Sequence, residues 1–366
     1  LYTAPHQQTG VTDTTPAGFG FDFELLRQLT EASGAPGYED RVRGHVQEVL
    51  AAETDTVETD AMGNVVGTVH GDGDYEVAVA AHMDEIGFMV KHITEDGFLK
   101  LDALGGWDPR VLRAQRVTIH TQNGDLTGLI GSVPPHTLDE EQRQKDEAVE
   151  DVVVDLGRDG DDVADYVAVG DLVTMEQSTV QMGETVTGKA LDDRVCLFAM
   201  LEAARRIDDP DVTIHFCATV QEEVGLRGAR ALGVDVDPDL AVALDVTVAS
   251  DVPGVSEDKQ VTELGEGAAI KLKDSSVITT PKVHRRLRSV AEDGGITHQT
   301  EVLPAGGTDT AGFQNTNGAT PVGAISIPTR YLHTVTETAH GDDIDATIDL
   351  LTAFLRTETG DHDYSL

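Results

Sequence analysis

The sequence predicts an α/β protein: a mostly parallel sheet with helices on both faces, interrupted by an inserted β-rich domain. Three observations lead there. Apolar runs of strand length, such as Val77–Ala81 and Leu240–Leu244, alternate with helically spaced segments on either side of a central stretch. The central stretch itself, 86–174, alternates apolar and polar residues around turn signals. Finally, 39% apolar residues accompany a net charge of −40, so the acidity does not come at the expense of a core. The expected division is a flexible lead over 1–20, an α/β domain over 21–85 and 175–366, and the inserted domain over 86–174.

Phe21–Thr30 has helical spacing, which Ser33-Gly34-Ala35-Pro36-Gly37 breaks. The next helix, Glu39–Ala52, puts Val42, Val46, Val49 and Leu50 on one face. Extended pieces follow at Thr56–Thr59, Asn64–Val69 and Glu76–Ala81, the last a near-continuous apolar run suited to a strand buried on both faces. In the inserted part, Phe88–Lys100 alternates around Glu95-Asp96-Gly97, and Arg116–Ile130 around Asn123-Gly124, a strong hairpin signal. A charged stretch, Leu138–Val149, precedes strand-like pieces at Val152–Leu156 and Val167–Met175. After Gly188 the spacing predicts helices over Arg194–Arg206, Leu226–Ala231, Lys282–Asp293 and Ile344–Arg356, with strands over Val212–Val220, Leu240–Leu244 and Pro321–Ile327.

The charge comes from 66 Asp plus Glu against 26 Lys plus Arg. Phosphate backbones and anionic membranes would repel such a chain, so neither nucleic acid nor membrane is expected as a partner. A solvated acidic surface suits high salt, where screening acts within about 3 Å at 1 M, and a halophilic protein is the expectation. Cys196 and Cys217 lie in apolar segments without a disulfide pattern, no apolar run approaches a membrane span, and the start is unlike a signal peptide. A cytoplasmic location is expected.

In open α/β sheets ligands bind beyond the carboxyl ends of the strands. There the sequence places His82-Met83-Asp84, Gln221-Glu222-Glu223, Asp245 and Tyr331-Leu332-His333, with Asp192-Asp193 just ahead of a helix. In so acidic a chain one carboxylate means little; the joint placement with two histidines carries the argument. Clustered buried carboxylates repel one another unless a cation joins them. Imidazole and carboxylate suit zinc or a similar divalent ion, and two ions about 3.5–4 Å apart sharing a carboxylate form a hydrolytic pair. Of the adjacent Glu222 and Glu223, one can coordinate while the other serves as general base. Asp84 is placed to accept the second ring N–H of His82.

Together, His82-Met83-Asp84-Glu85-Ile86-Gly87, Ala190-Leu191-Asp192-Asp193-Arg194, Gln221-Glu222-Glu223-Val224-Gly225, Ala243-Leu244-Asp245, Gly306-Gly307-Thr308-Asp309 and Arg330-Tyr331-Leu332-His333-Thr334 resemble the M42 metallopeptidases, the tetrahedral (TET) aminopeptidases. The resemblance implies a zinc-peptidase-like fold and removal of N-terminal residues from peptides with a free amino end. It implies two divalent ions, zinc first, with cobalt or another ion as alternatives. Asp192 would bridge them, followed by a cis peptide; His82 and Asp245 would complete one site, Glu223 and His333 the other. Glu222 would be the general base and Asp84 an orienting acid. Gly306, Gly307 and Thr308 would form a loop near the substrate. The inserted domain would dimerise, and dimers would build a tetrahedral dodecamer. Glu337 receives no role.

A deacylase or carboxypeptidase on the same two-metal scaffold is the nearest alternative. A glycoside hydrolase would place its carboxylates across an aromatic-rich cleft, and the chain has one tryptophan, Trp107. A non-catalytic cation-binding scaffold is the remaining one.

Overall fold

The computed structural model describes residues 18–140 and 148–366. Most of the expected lead, and the centre of the charged stretch at 138–149, lie outside the described residues.

The chain opens with α1 (Phe23–Glu31), whose first turn is capped by the Asp22 carboxylate accepting the N–H of Leu25 at 3.1 Å. Helix α2 (Asp40–Glu53) buries the face formed by Val42, Val46, Val49 and Leu50, as its spacing predicts. Strands β1 (Thr56–Thr59) and β2 (Val65–Val69) form a hairpin, and β3 (Glu76–His82) runs through the core.

The chain then leaves for the inserted part. Strands β4 (Gly87–Ile93), β5 (Leu99–Leu104), β6 (Gln115–Thr121), β7 (Gly124–Ile130), β8 (Val153–Asp155) and β9 (Leu172–Met175) close into a barrel in the order β4-β5-β8-β7-β6-β9. Closure removes free edges, and inward residues such as Phe88, Val90, Leu101, Val117, Ile119 and Val173 fill the interior. Only the end of Val167–Met175 is a strand. Ahead of it lies α3 (Gly160–Tyr166), unexpected from sequence because only Val163 of its acidic Gly-Asp-Asp-Val-Ala-Asp-Tyr run is buried.

The edge hairpin β10 (Val180–Met182) and β11 (Thr185–Gly188) leads into α4 (Leu191–Ala204), a helix buried on every side. There follow β12 (Thr213–Thr219), α5 (Arg227–Asp235), β13 (Leu240–Val248), β14 (Ala268–Lys273), α6 (Pro281–Gly294), β15 (His298–Val302), α7 (Asp309–Gln314), β16 (Val322–Arg330), β17 (Glu337–His340) and α8 (Gly341–Arg356).

The eleven-stranded sheet corrects one expectation. Parallel pairing holds for β12 with β3, β3 with β13, β13 with β16, and β14 with β15; the other pairs are antiparallel. The parallel centre arises where helices or the inserted barrel connect the strands, whereas the flanks include tight hairpins such as β1–β2 and β10–β11. The central strands β12, β3, β13 and β16 all point their carboxyl ends toward one edge of the sheet, where the candidate residues gather. Among the described residues no helix is long and apolar enough to cross a membrane.

Candidate metal centre

Each candidate side chain is delivered by a core strand or helix or by the turn that follows one. In the parallel register Thr219 stands opposite His82, the last residue of β3, so the turn after β12 carries Glu222 and Glu223 past the histidine. Asp245 lies within β13 rather than beyond it. The last paired positions of β3 and β13 are Ala80 and Ala243, and two residues further along the two strands come His82 and Asp245. Asp192 and Asp193 open α4 with non-helical backbone angles, and the peptide between them is cis, as the resemblance implies. His333 follows β16 in the left-handed region at φ 58°, as do Tyr331, Gln221 and Ala190 at 62°, 56° and 55°. Left-handed non-glycine residues thus mark three of the five contributing segments, a concentration typical of functional sites.

Asp192 is the hub. Its Oδ1 lies 3.3 Å from His82 Nε2, and its Oδ2 lies 3.4 Å from His333 Nε2. Glu223 Oε2 is 3.9 Å from the same His333 nitrogen, and Glu222 Oε2 is 4.0 Å from His82 Nε2. Single ligand atoms of His82, Asp192 and Glu223 fall within 4.8 Å of one another, and so do those of His82, Asp193 and Asp245.

The outer nitrogens explain why these groups call for a cation. His82 Nδ1 sits 3.0 Å from the backbone carbonyl of Asp84, and His333 Nδ1 sits 2.7 Å from that of Gly106. A carbonyl only accepts, so each Nδ1 carries the proton, and a neutral ring turns its Nε2 lone pair toward a carboxylate. Metal-free protein relieves that conflict by holding protons. Burial alone would lower the pKa of His82, but bonds to Asp192 and Asp84 push it well above the ordinary value; His333 is pushed up to about 10 by its bond to Asp192. Burial also raises Asp193, Glu222 and Asp245, and with the Asp192 charge it carries Glu223 to about 8. Burial would raise Asp192 as well, but the bonds from His333 and His82 bring it below its usual range. The Oδ1 of Asp193 is buried without any hydrogen-bond partner. Divalent ions would satisfy these donors at once, so the residues present fit a metal centre.

Two expectations are corrected in detail. The carboxylate of Asp84 does not take the ring N–H of His82 as its main partner: Oδ1 is 3.5 Å away, while the Asp84 carbonyl is at 3.0 Å. It accepts instead the backbone N–H groups of Glu222 and Glu223, at 2.9 and 3.0 Å. Thr308 is buried, and its hydroxyl bonds Asp274 and Thr310, which leaves Gly306 and Gly307 as the exposed part of that loop.

Other participants had no assigned role in the sequence. The barrel loop after β5 reaches the cluster: Gly105, at φ 92°, would bring an added Cβ against the Ile86 side chain and within 3.2 Å of Glu223 Oε2, and Gly106 supplies the carbonyl for His333. Trp107 anchors this loop by stacking on Phe88, centroids 4.8 Å apart, and donating Nε1–H to the Gly87 carbonyl at 3.1 Å. The Gly-Gly-Trp run was a visible signal. Lys189 and Glu85 form a buried ion pair at 2.6 Å beside Asp192. Arg194, fully buried, donates to the carbonyls of Leu29 and Ala32 at 2.6 and 3.0 Å, tying the head of α4 to the end of α1. Glu337 accepts the N–H groups of Asp192 and His333.

Comparison with known proteins gives a consistent answer. The family described as M42 glutamyl aminopeptidase matches residues 63–350. The lysyl aminopeptidase of Pyrococcus furiosus is 36% identical over 340 residues, covering 91% of this chain and 96% of that protein. Aminopeptidase APDkam598 from the archaeon Desulfurococcus kamchatkensis superimposes with a TM-score of 0.88 at 37% identity, over 92% of this chain and 94% of that one. The Pyrococcus horikoshii TET1 peptidase, described as assembling into a tetrahedron or a large octahedral shell, gives 0.83 at 32% identity, over 92% and 99%.

Proposed function

The chain belongs to the M42 aminopeptidase family and is a peptide-bond hydrolase; from that premise we propose that its centre holds two divalent ions and removes single residues from the free amino end of peptides. The observation that carries this is the position of Asp192, one oxygen facing each histidine. In this reading Asp192 bridges, His82 and Asp245 complete one site, and Glu223 and His333 complete the other. The ions are zinc, or cobalt or another divalent ion in its place, and when bound they supply Lewis acidity toward the scissile carbonyl and lower the pKa of water.

The chain's own residues do the rest. Glu222, whose Oε2 lies 4.0 Å from His82 Nε2, takes a proton from the attacking water and hands it to the leaving amine. Asp84 fixes the backbone that presents Glu222 and Glu223. The exposed Gly306 and Gly307 let a peptide backbone approach closely. One relative is named a lysyl aminopeptidase and another a glutamyl aminopeptidase. The β-barrel is the dimerisation domain, and dimers assemble into a tetrahedral dodecamer in a salt-adapted, cytoplasmic protein.

The test is hydrolysis of one peptide with a free and with an acetylated amino end, before and after chelation and after adding back zinc or cobalt. Cleavage of the free peptide alone, lost on chelation and restored by the ion, is expected. Equal cleavage of the acetylated peptide, or activity that survives full removal of metal, would overturn the reading.

A further inference from the structure

Glu337 touches no atom that would react, yet it joins two of the segments that form the site. It lies at the start of β17 and is 2% exposed. Its Oε2 accepts the N–H of Asp192 at 3.0 Å, and its Oε1 accepts the N–H of His333 at 2.8 Å. We propose that Glu337 is a positioning residue: its carboxylate sets the bridging aspartate and the last histidine relative to each other.

Both N–H groups need an external acceptor. Asp192 stands at the non-helical head of α4, and His333 stands in a left-handed turn outside any strand. One carboxylate satisfies both, which makes the separation of the two backbones a property of a rigid group. His333 is then held at two points, its N–H by Glu337 and its ring Nδ1–H by Gly106. With the ring so fixed, Nε2 has one direction left, toward Asp192 Oδ2 and Glu223 Oε2. The geometry asks specifically for a carboxylate. Glutamine has the same shape but offers one acceptor and one NH2, which would face an N–H. Aspartate keeps the charge but is one methylene short.

A role in folding alone is separable from this. The β17 backbone is already paired, with β11 on one side through Gly188 opposite Glu337, and with β16 on the other. The strand therefore keeps its place without the carboxylate, while the two ligand segments lose their common anchor.

This inference rests on Asp192 and His333 being metal ligands, as proposed above. The experiment compares full-length wild type, Glu337→Gln and Glu337→Asp, each stripped of metal, titrated with Co2+ by visible absorption, and assayed on a free-amine peptide. Expected are metal-free melting temperatures close to wild type, about 10–100-fold weaker binding of at least one ion, and shifted Co2+ bands. Turnover falls while KM changes less than about threefold. Wild-type affinity and bands in Glu337→Gln would overturn the role of Glu337 and leave the metal centre standing. If Glu337→Gln does not fold, the same result in Glu337→Asp overturns it equally. A wild type that takes up no Co2+ would sink the metal centre itself, and the inference with it.

Discussion

Asp84 accepts the backbone N–H of Glu223 at 3.0 Å, and with its other oxygen that of Glu222 at 2.9 Å. One buried carboxylate at the end of β3 thus shapes the turn that carries two acids after β12. The link is between backbones, so both acids move together if it is lost.

Asp84→Asn offers one acceptor where two donors remain. About 10–100-fold weaker metal affinity and a comparable loss in kcat/KM are expected. Calorimetric zinc titration alongside peptide kinetics checks both; unchanged affinity would show that the turn holds its shape without the carboxylate.

Glu222→Gln keeps the volume and the backbone N–H that Asp84 holds, but removes the proton acceptor. Turnover should fall on the order of 10²–10⁴-fold with metal content and assembly retained. Metal analysis of the purified variant beside its kcat makes the test, and a metal-loaded variant with near wild-type turnover refutes the role.

Gly105→Ala asks a left-handed backbone to carry a Cβ that meets Ile86 and Glu223. A destabilisation of about 1–3 kcal/mol is expected, together with reduced activity because the intruding atom faces a candidate ligand. Gly124→Ala, also at positive φ but with open space around it, is the control: it should lose stability and keep activity.

Glu39 is fully buried, accepts the Gly37 N–H at 2.6 Å, and has its other oxygen without a hydrogen bond. Burial raises its pKa from 4.5 to about 7. Between those values the folded chain holds a proton that the unfolded chain has released, so stability falls as pH rises through that window. Glu39→Gln lacks this titration. Its stability relative to wild type should improve by up to roughly 3 kcal/mol between pH 4.5 and 7.5, as read from denaturant midpoints at each pH. A constant difference would contradict the shift.

With a net charge of −40 per chain, copies of the chain in the proposed assembly would repel one another most strongly at low ionic strength. Screening reaches about 10 Å at 0.1 M and about 3 Å at 1 M. Light scattering and activity followed from 2 M to 0.05 M salt should show dissociation and inactivation together; a stable, active complex at 0.05 M would contradict salt adaptation.

The buried strands were legible because β3, β12 and β13 are built around apolar runs, and the candidates His82, Glu222, Glu223 and Asp245 were legible because they stand in or just beyond those strands. Short polar elements were not. His298–Val302 and Glu337–His340 have neither length nor apolar periodicity, and they become strands only because β14, β16 and β11 supply partners. The Asp84 side chain was expected at the His82 ring because two residues of spacing allow it, but its carbonyl reaches the same nitrogen and frees the carboxylate for the turn. The carbonyl of Gly106 has no signature at all, since every residue carries one and tertiary packing alone selects it.

The ring partner of His333 comes from Gly106, and its backbone partner from Glu337. Ribosomes make these pieces far apart in time. A nascent chain that has passed Asp245 already contains most of the candidate ligands, yet it lacks the last histidine, β17 and α8. In the proposed centre the segment that completes the site is therefore made after all the other candidate ligands, and His333 gains its backbone anchor only once Glu337 has followed it.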